Sequence, residues 1–474
     1  MRLRCLLAMT AAFVPALMGA AIVPAYSAED VMSTDADIYP ESSPDAALTA
    51  KLEVVHRFTE SMPRGVAVSP DGRVFVCFPH HDKDGPYCLA EIKDGAAVPY
   101  PNAQINTANV ADVPNHFVSI MAARVDIHNR LWVLDSGRQR RTAIAGGARL
   151  MAIDLTTGQI VKTVSFQPDV LLPASVLKDF RIDLQVGKEG VGIIADSAPQ
   201  GKNGIIVVDL ATGKAKRRLD GHYSVTPEPD YVVFAQGEMV RLRFDADSRV
   251  DFTAGIAGLA ISGDGKYLFY SPMAGLQVFR VPIARLCDFA VPEVALDKYV
   301  EMVGRKIGSS DGIESDTAGG LYVTDVENNM IWHRRPDGVM EKLVRDELLL
   351  WPDRLCLSND GYLYIVASQF NRGPWFHFGQ DKRVRPFNLL RIKVDAKPVR
   401  LAPLAVNMDT HVGGAAASNQ VCPVGSSSGA TKSGAGKSAS GNAAVGQNSA
   451  AGGGRVRADA PAANASVKQK HIHK

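Results

Sequence analysis
GSSDGIESDTAGGLYVTDVENN, residues 308–329, reads as two strands joined by a tight turn. Residues 312–315 make the first strand, 316–320 the turn and 321–325 the second strand. Acids mark both ends: Asp311 precedes the first strand, and Asp325 and Glu327 follow the second. The two ends of a hairpin lie side by side, so these carboxylates and Asn328 are expected on one rim.

Five looser copies of this unit occur elsewhere: AVSPDGRVFV (67–76), RVDIHNRLWVLD (124–135), RIDLQVGKEGVGIIAD (181–196), LAISGDGKYLFY (259–270) and LCLSNDGYLYIV (355–366). Each is a short apolar strand, a polar turn containing Gly or Asn, and a second apolar or aromatic strand. The Asp-Gly pairs at 71–72, 264–265 and 360–361 supply the positive φ angles that tight hairpins need. Regular recurrence of such a unit points to a repeat architecture with one four-stranded unit per copy. Units of this kind close into a β-propeller, whose strand edges are short and protected. A large β-sandwich that reuses Asp-Gly turns is the alternative. The copies also share a polar residue after the second strand, which favours the ring. The expectation is an all-β chain: a six-bladed β-propeller with four-stranded blades over residues 48–400. A strand at 48–59 would complete the last blade and close the circle.

The flanks have a different character. Arg2 and Arg4 precede an Ala-rich apolar run that ends at Ala25-Tyr26-Ser27, so residues 1–27 read as a secretory signal peptide. A retained anchor is the other reading, but the run is broken by Pro15, Gly19 and Pro24, and no other stretch reaches the ~20 apolar residues of a span. Residues 28–47 form a polar leader. Between 413 and 454, 29 of 42 residues are Gly, Ala or Ser, too little apolar surface to offset ordering entropy. Residues 408–474 are therefore expected to be a disordered tail. Its TKSGAGKS (431–438) lacks the first Gly, the strand and the helix of a phosphate-binding loop. The implied compartment is periplasmic or extracellular.

Of 52 basic and 50 acidic residues, Arg2 and Arg4 lie in the signal, and seven basic residues and one acid lie from residue 413 onward. The body, residues 29–412, then carries 43 basic and 49 acidic residues and is acidic. That argues against a nucleic-acid partner. It favours a cationic ligand or a divalent cation at any cluster of acids. Cys77 and Cys88 flank a loop of the first blade, where an oxidising compartment makes a disulfide plausible. There is no Cys-x-x-Cys and hence no sign of a structural zinc.

Enzyme signatures are thin: no Gly-x-Ser-x-Gly, no His-Glu-x-x-His and no dinucleotide fingerprint. What repeats is an acid after the second strand: Asp135 in LDSG, Asp196 in ADSA and Asp325 in TDVENN. Such residues either cap turns through backbone N–H groups or line a rim. For Asp325, with Glu327 and Asn328 beside it, the rim reading is favoured. Asp311 and Asp353 each precede a first strand and should point to the same rim. Ser310, Trp351 and Phe370 are candidates for its wall.

At these motifs the chain resembles the yellow/major royal jelly protein family, in its bacterial branch. The residues that carry the likeness are LWVLDSG (131–137), IIADS (193–197), GIIVVDLATG (204–213), GIAGLAISGDGKYLFYSPMAG (255–275), SDGI (310–313), LYVTDVENNMI (321–331) and WPD with GYLYIVASQ (351–369). The resemblance implies a secreted propeller whose central channel takes a small ligand. Some members of the family bind biogenic amines and others are linked to dopachrome conversion. The family is similar in fold to propeller lactonases that hold a divalent metal with a Glu, two Asn and an Asp. Asp311 matches that Asp, while Pro63-Arg64, Met121-Ala122 and Ala257 stand at the other three places. Lactone hydrolysis by that mechanism is therefore in doubt. The expected function is binding of a small amine or aromatic ligand by a monomer, at Ser310, Asp311, Asp325, Glu327, Asn328, Asp135, Asp196 and Asp353. The alternative is an isomerase or hydrolase that uses the same carboxylates.

Overall fold
The hairpin that opens the sequence reading is formed by Ile313–Ser315 and Leu321–Asp325, with Ile313 opposite Val323 and Ser315 opposite Leu321. Gly319 supplies the positive φ of its turn, and Asp316 Oδ1 accepts from the N–H groups of Ala318 and Gly320. The computed structural model describes residues 51–404 except 81–84, 140–141, 200 and 244–248. The expected signal peptide (1–27), leader (28–47) and tail (408–474) lie outside the described residues.

All six copies are the first two strands of a four-stranded antiparallel sheet. Blade 1 begins at Gly65–Val68, blade 2 at Ile120–Val125, blade 3 at Leu177–Asp183, blade 4 at Ile256–Ile261, blade 5 at Ile313–Ser315 and blade 6 at Pro352–Leu357. These first strands touch one another in ring order, and the sixth touches the first. The fold is thus a six-bladed β-propeller with a central channel. Glu53–Phe58 pairs antiparallel with Phe387–Lys393 and completes the sixth blade. The ends of the described chain are thereby tied into one sheet.

The core lies between blades. In blade 3, Ile193, Ala195, Ile205 and Val207 pack against blade 4, while Ile194, Ile206 and Val208 pack against blade 2. Alternate side chains of a strand point to opposite faces, and here both faces are covered. This is why IIVVD reads as a continuous apolar run rather than an alternating one. At the channel the first strands approach so closely that a Cβ on Gly312 would overlap the Asp353 carbonyl oxygen.

Two additions close the channel's ends. Between blades 3 and 4, Phe234–Ala235 pairs with Glu238–Met239, and Arg241–Leu242 with Val250–Asp251. This insert packs with Phe370, Trp375 and Phe376, from the loop between the second and third strands of blade 6, into an aromatic cover. At the other end residues 397–401 cross the opening. Thr317 N donates to Lys397 O (3.0 Å) and Arg400 Nη2 to Val68 O (2.9 Å), so the segment joins blades 5 and 1.

Candidate functional site
The first strands of blades 2, 3, 4 and 6 shift register at one level: between Ile120 and Ala122, Leu177 and Asp179, Ile256 and Gly258, and Pro352 and Leu355. A bulge leaves a residue out of the ladder and re-aims its side chain. The displaced residues are Met121, Lys178 and Ala257, and in blade 6 Asp353 with Arg354. Arg64 and Asp311 hold the matching place ahead of the first strands of blades 1 and 5. In blade order the ring reads Arg64, Met121, Lys178, Ala257, Asp311, Asp353.

Charges pair across this ring. Lys178 Nζ lies 2.6 Å from Asp311 Oδ1, and Arg64 Nη2 lies 3.4 Å from Asp311 Oδ2. Arg64 Nε is 2.6 Å from Asp353 Oδ2 but off the hydrogen-bonding direction. Arg354 Nη1 reaches Asp353 Oδ1 at 2.9 Å and Asp311 Oδ1 at 3.1 Å. Trp351 Nε1 donates to Asp311 Oδ2 at 3.1 Å, with Trp351 fully buried at a left-handed φ of 56°. Such a conformation costs a bulky residue about 1–3 kcal/mol and persists only where its surroundings hold it. Three cations thus meet two carboxylates, and all five groups are buried. Burial alone would raise the Asp311 carboxyl, but Lys178, Arg354 and Arg64 outweigh it and hold the group well below the usual range. Asp353 is pushed up to about 6 by burial and by the charge on Asp311, against the pull of Arg64. Burial lowers Lys178, a shift that Asp311 only partly offsets.

A cavity of about 460 Å³ opens on the cationic side of the ring. Its floor includes Arg64, Met121 and Lys178, whereas Asp311 and Asp353 take no part in the lining. Phe252, Phe370, Trp375 and Leu242 wall it from the cover, and Arg138 and Asp251 sit at its edge. The volume falls within the range of about 300–1,000 Å³ typical of small-molecule sites. Arg64 lies against the Phe370 ring, 4.2 Å from guanidinium carbon to centroid. Among the described residues, the buried lining atoms Arg64 Nη1 and Ser197 Oγ have no hydrogen-bond partner.

The repeated acids after the second strands are caps, not rim ligands. Asp135 accepts from Val118 N, Ser119 N and Gly137 N, and from Arg149 at 3.0 Å. Asp196 accepts from Ser175 Oγ, Val176 N and, at 2.6 Å, Arg217. Asp325 accepts from Glu327 N, Asn328 N, Asn328 Nδ2 and Trp332 Nε1. Each therefore spends its lone pairs within its own blade. Asp325 meets Glu327 and Asn328 within one turn, but Asp311 does not join them. Glu327 turns to Tyr231 Oη (2.9 Å) and Ser309 Oγ (3.0 Å), and Asn328 is exposed. Ser310 is buried and bonds Gly312 O and Thr324 Oγ1 instead of lining a wall. Phe370 does line the cavity, while Trp351 roofs the acidic half of the ring from beneath the cover.

A divalent cation does not fit these residues. Where a metal would meet Asp311, the chain places its own cations, Lys178, Arg64 and Arg354. Among the described residues no three His, Cys, Asp or Glu side chains converge as a metal requires. The expected Cys77–Cys88 bridge is likewise replaced by two thiols. Cys77 faces Leu89 across the ladder, and the Cys88 sulfur turns to His80 Nε2 at 3.4 Å. Sequence reasoning missed Arg64 and Lys178. The available signal was a charged residue at the first-strand start of copies that otherwise begin apolar. Phe252 and Trp375 were missed because they lie outside the repeats.

Residues 118–397 match the family described as Major royal jelly protein. Major royal jelly protein 1 of Apis mellifera is 27% identical over 200 residues, covering 40% of this chain and 42% of the relative. Major royal jelly protein 5 of the same species is 26% identical over 217 residues, covering 44% and 34%. The chain spans less than half the length of these relatives. Among solved structures, a gluconolactonase of Xanthomonas campestris superposes with a TM-score of 0.45 at 13% identity, covering 75% of this chain and 95% of that one. Regucalcin of Agrobacterium tumefaciens gives 0.44 at 12%, covering 74% and 97%.

Proposed function
Because the chain belongs to the major royal jelly protein family, we propose that it is a small-molecule-binding propeller whose ligand occupies the cavity above blades 1 to 3. The observation that carries this reading is the cavity itself: deep, walled by Phe252, Phe370 and Trp375, and floored by buried ring residues. Aromatic walls favour an aromatic ligand, since stacked or edge-on rings gain about 0.5–1.5 kcal/mol beyond area burial. The protein acts in the periplasm or outside the cell, as the signal-like residues 1–27 suggest, and works as a monomer. No helix among the described residues is long and apolar enough to cross a membrane.

An isomerase or hydrolase using channel carboxylates finds less support. Asp353, pushed up to about 6, has the proton affinity for acid–base work. It is nevertheless 0% exposed and does not line the cavity. Calorimetric titration with the neutral compound indole-3-ethanol tests the binding reading. We expect saturable binding that falls about tenfold in Phe252→Ala, in line with the loss of one ring contact and its buried area. Equal affinity in the variant, with its melting temperature unchanged, would place the ligand elsewhere.

A further inference from the structure
We infer that the cavity selects an aromatic ligand carrying an anionic group, such as a carboxylate, and discriminates against the amine that the acid-rich sequence suggests. This deepens the binding reading above and rests on it.

The ring is electrically lopsided. Arg64 and Lys178 stand on blades 1 and 3 on either side of Met121, and the acids stand on blades 5 and 6 with Arg354 beside them; Ala257 separates Lys178 from Asp311. The cavity opens over the cations only. The acids are sealed off by their own partners and by Trp351, whose indole donates to Asp311. A cationic ligand seated on the cavity floor would therefore face Arg64 and Lys178 rather than Asp311 or Asp353. Arg138 adds a third positive charge at the edge. Among the described residues the one acid of the lining is Asp251, which is half-exposed and already paired with Arg241 at 2.7 Å.

The count of charge points the same way. Arg64, Lys178 and Arg354 face Asp311 and Asp353, so the buried cluster carries one positive charge in excess. Uncompensated buried charge is costly, and the arginines cannot relieve it by losing a proton. An anion over Arg64 and Lys178 neutralises the cluster in a site where water is scarce and charge-assisted hydrogen bonds are strong. The donors for it are present. Among the described residues Arg64 Nη1 has no acceptor, and Lys178 Nζ has only Asp311 Oδ1 at 2.6 Å and the weak Met273 Sδ at 3.8 Å. The aromatic part would lie against Phe252 and Trp375, and Ser197 Oγ would serve a second polar group.

The test is a matched set sharing one ring: indole-3-acetate, indole-3-ethanol and tryptamine, titrated calorimetrically into the full chain at pH 7. We expect indole-3-acetate to bind at least about tenfold tighter than indole-3-ethanol, and tryptamine to bind weakest. Arg64→Lys keeps the charge but loses the planar fork. It should weaken the acetate by about tenfold and indole-3-ethanol by clearly less, so that the preference for the anion shrinks. Lys178→Met should do the same, and each variant's thermal melt reports whether it folds. If the acetate and the ethanol bind equally, the anion inference fails while the cavity reading stands. If tryptamine binds tightest, the inference is overturned in favour of a cation site. If none of the three binds, the cavity reading falls and the inference with it.

Discussion
Two sets of aspartates in this propeller share burial and differ in reach. Asp135, Asp196 and Asp325 end the second strands of their blades, and all are 0% exposed. Asp311 and Asp353 stand at first-strand starts and are equally buried. The first set bonds within its own blade, to residues no more than 21 positions away. The second set bonds across the channel: Asp311 to Lys178 and Arg64, 133 and 247 positions away. The same side chain at the same burial therefore serves as a local cap in one place and as a keystone between blades in the other.

Removing a member of each set measures that difference. Asp311→Ala leaves three buried cations facing one acid, and should cost about 3–5 kcal/mol in denaturant unfolding. Asp135→Ala and Asp196→Ala strand backbone donors, but Arg149 keeps Val113 O and His116 O, and Arg217 keeps Asp220. Each should cost about 1–3 kcal/mol. The cap variants should also leave ligand affinity unchanged wherever they remain folded, whereas Asp311→Ala should alter it. A cap variant that unfolds more readily than Asp311→Ala would erase the distinction.

A pH series separates the two ring acids themselves. Asp353 is pushed up to about 6 in the fold, while an unfolded carboxyl titrates near ~3.9. Between roughly pH 4 and 6 the folded state then holds the extra proton, so this group lowers stability as pH rises. Asp311 behaves oppositely: held below the usual range, it contributes stability above ~pH 4 and loses it only on further acidification. Asp353→Asn should therefore gain on the parent protein as pH climbs through the 4–6 window, with no further change above about pH 7. A difference that stays flat from pH 4 to 7 would mean that Asp353 titrates normally.

The propeller was legible because its signals are local. Each Asp-Gly turn, each apolar pair of strands and each acid after the second strand lies within one short repeat. The caps belonged to the same legible class. Asp135 and Asp196 were left open between cap and rim, and only Asp325 was drawn to the rim, by its neighbours Glu327 and Asn328. The structure turns Glu327 to Tyr231 and ties Asn328, at the surface, back to Asp325. Tyr231 lies in the stretch between blades 3 and 4, about which the repeat pattern says nothing.

What the amino-acid sequence determined by itself was a chain with six blades, the strand-level position of their first hairpins, and the acids that finish several of them. Those features depend on contacts a few residues apart, which composition and spacing encode directly. The sign of the site's charge was decided only by the tertiary structure. The body of the chain is acidic overall, yet ring closure brings Arg64 beside Asp353 and Lys178 beside Asp311 and roofs the acids with Trp351. It also leaves the cationic side open to the cavity. Pairings over more than a hundred residues leave no periodic trace in the sequence, because they depend on which blade each strand start belongs to and on how the closed ring turns those starts towards one another.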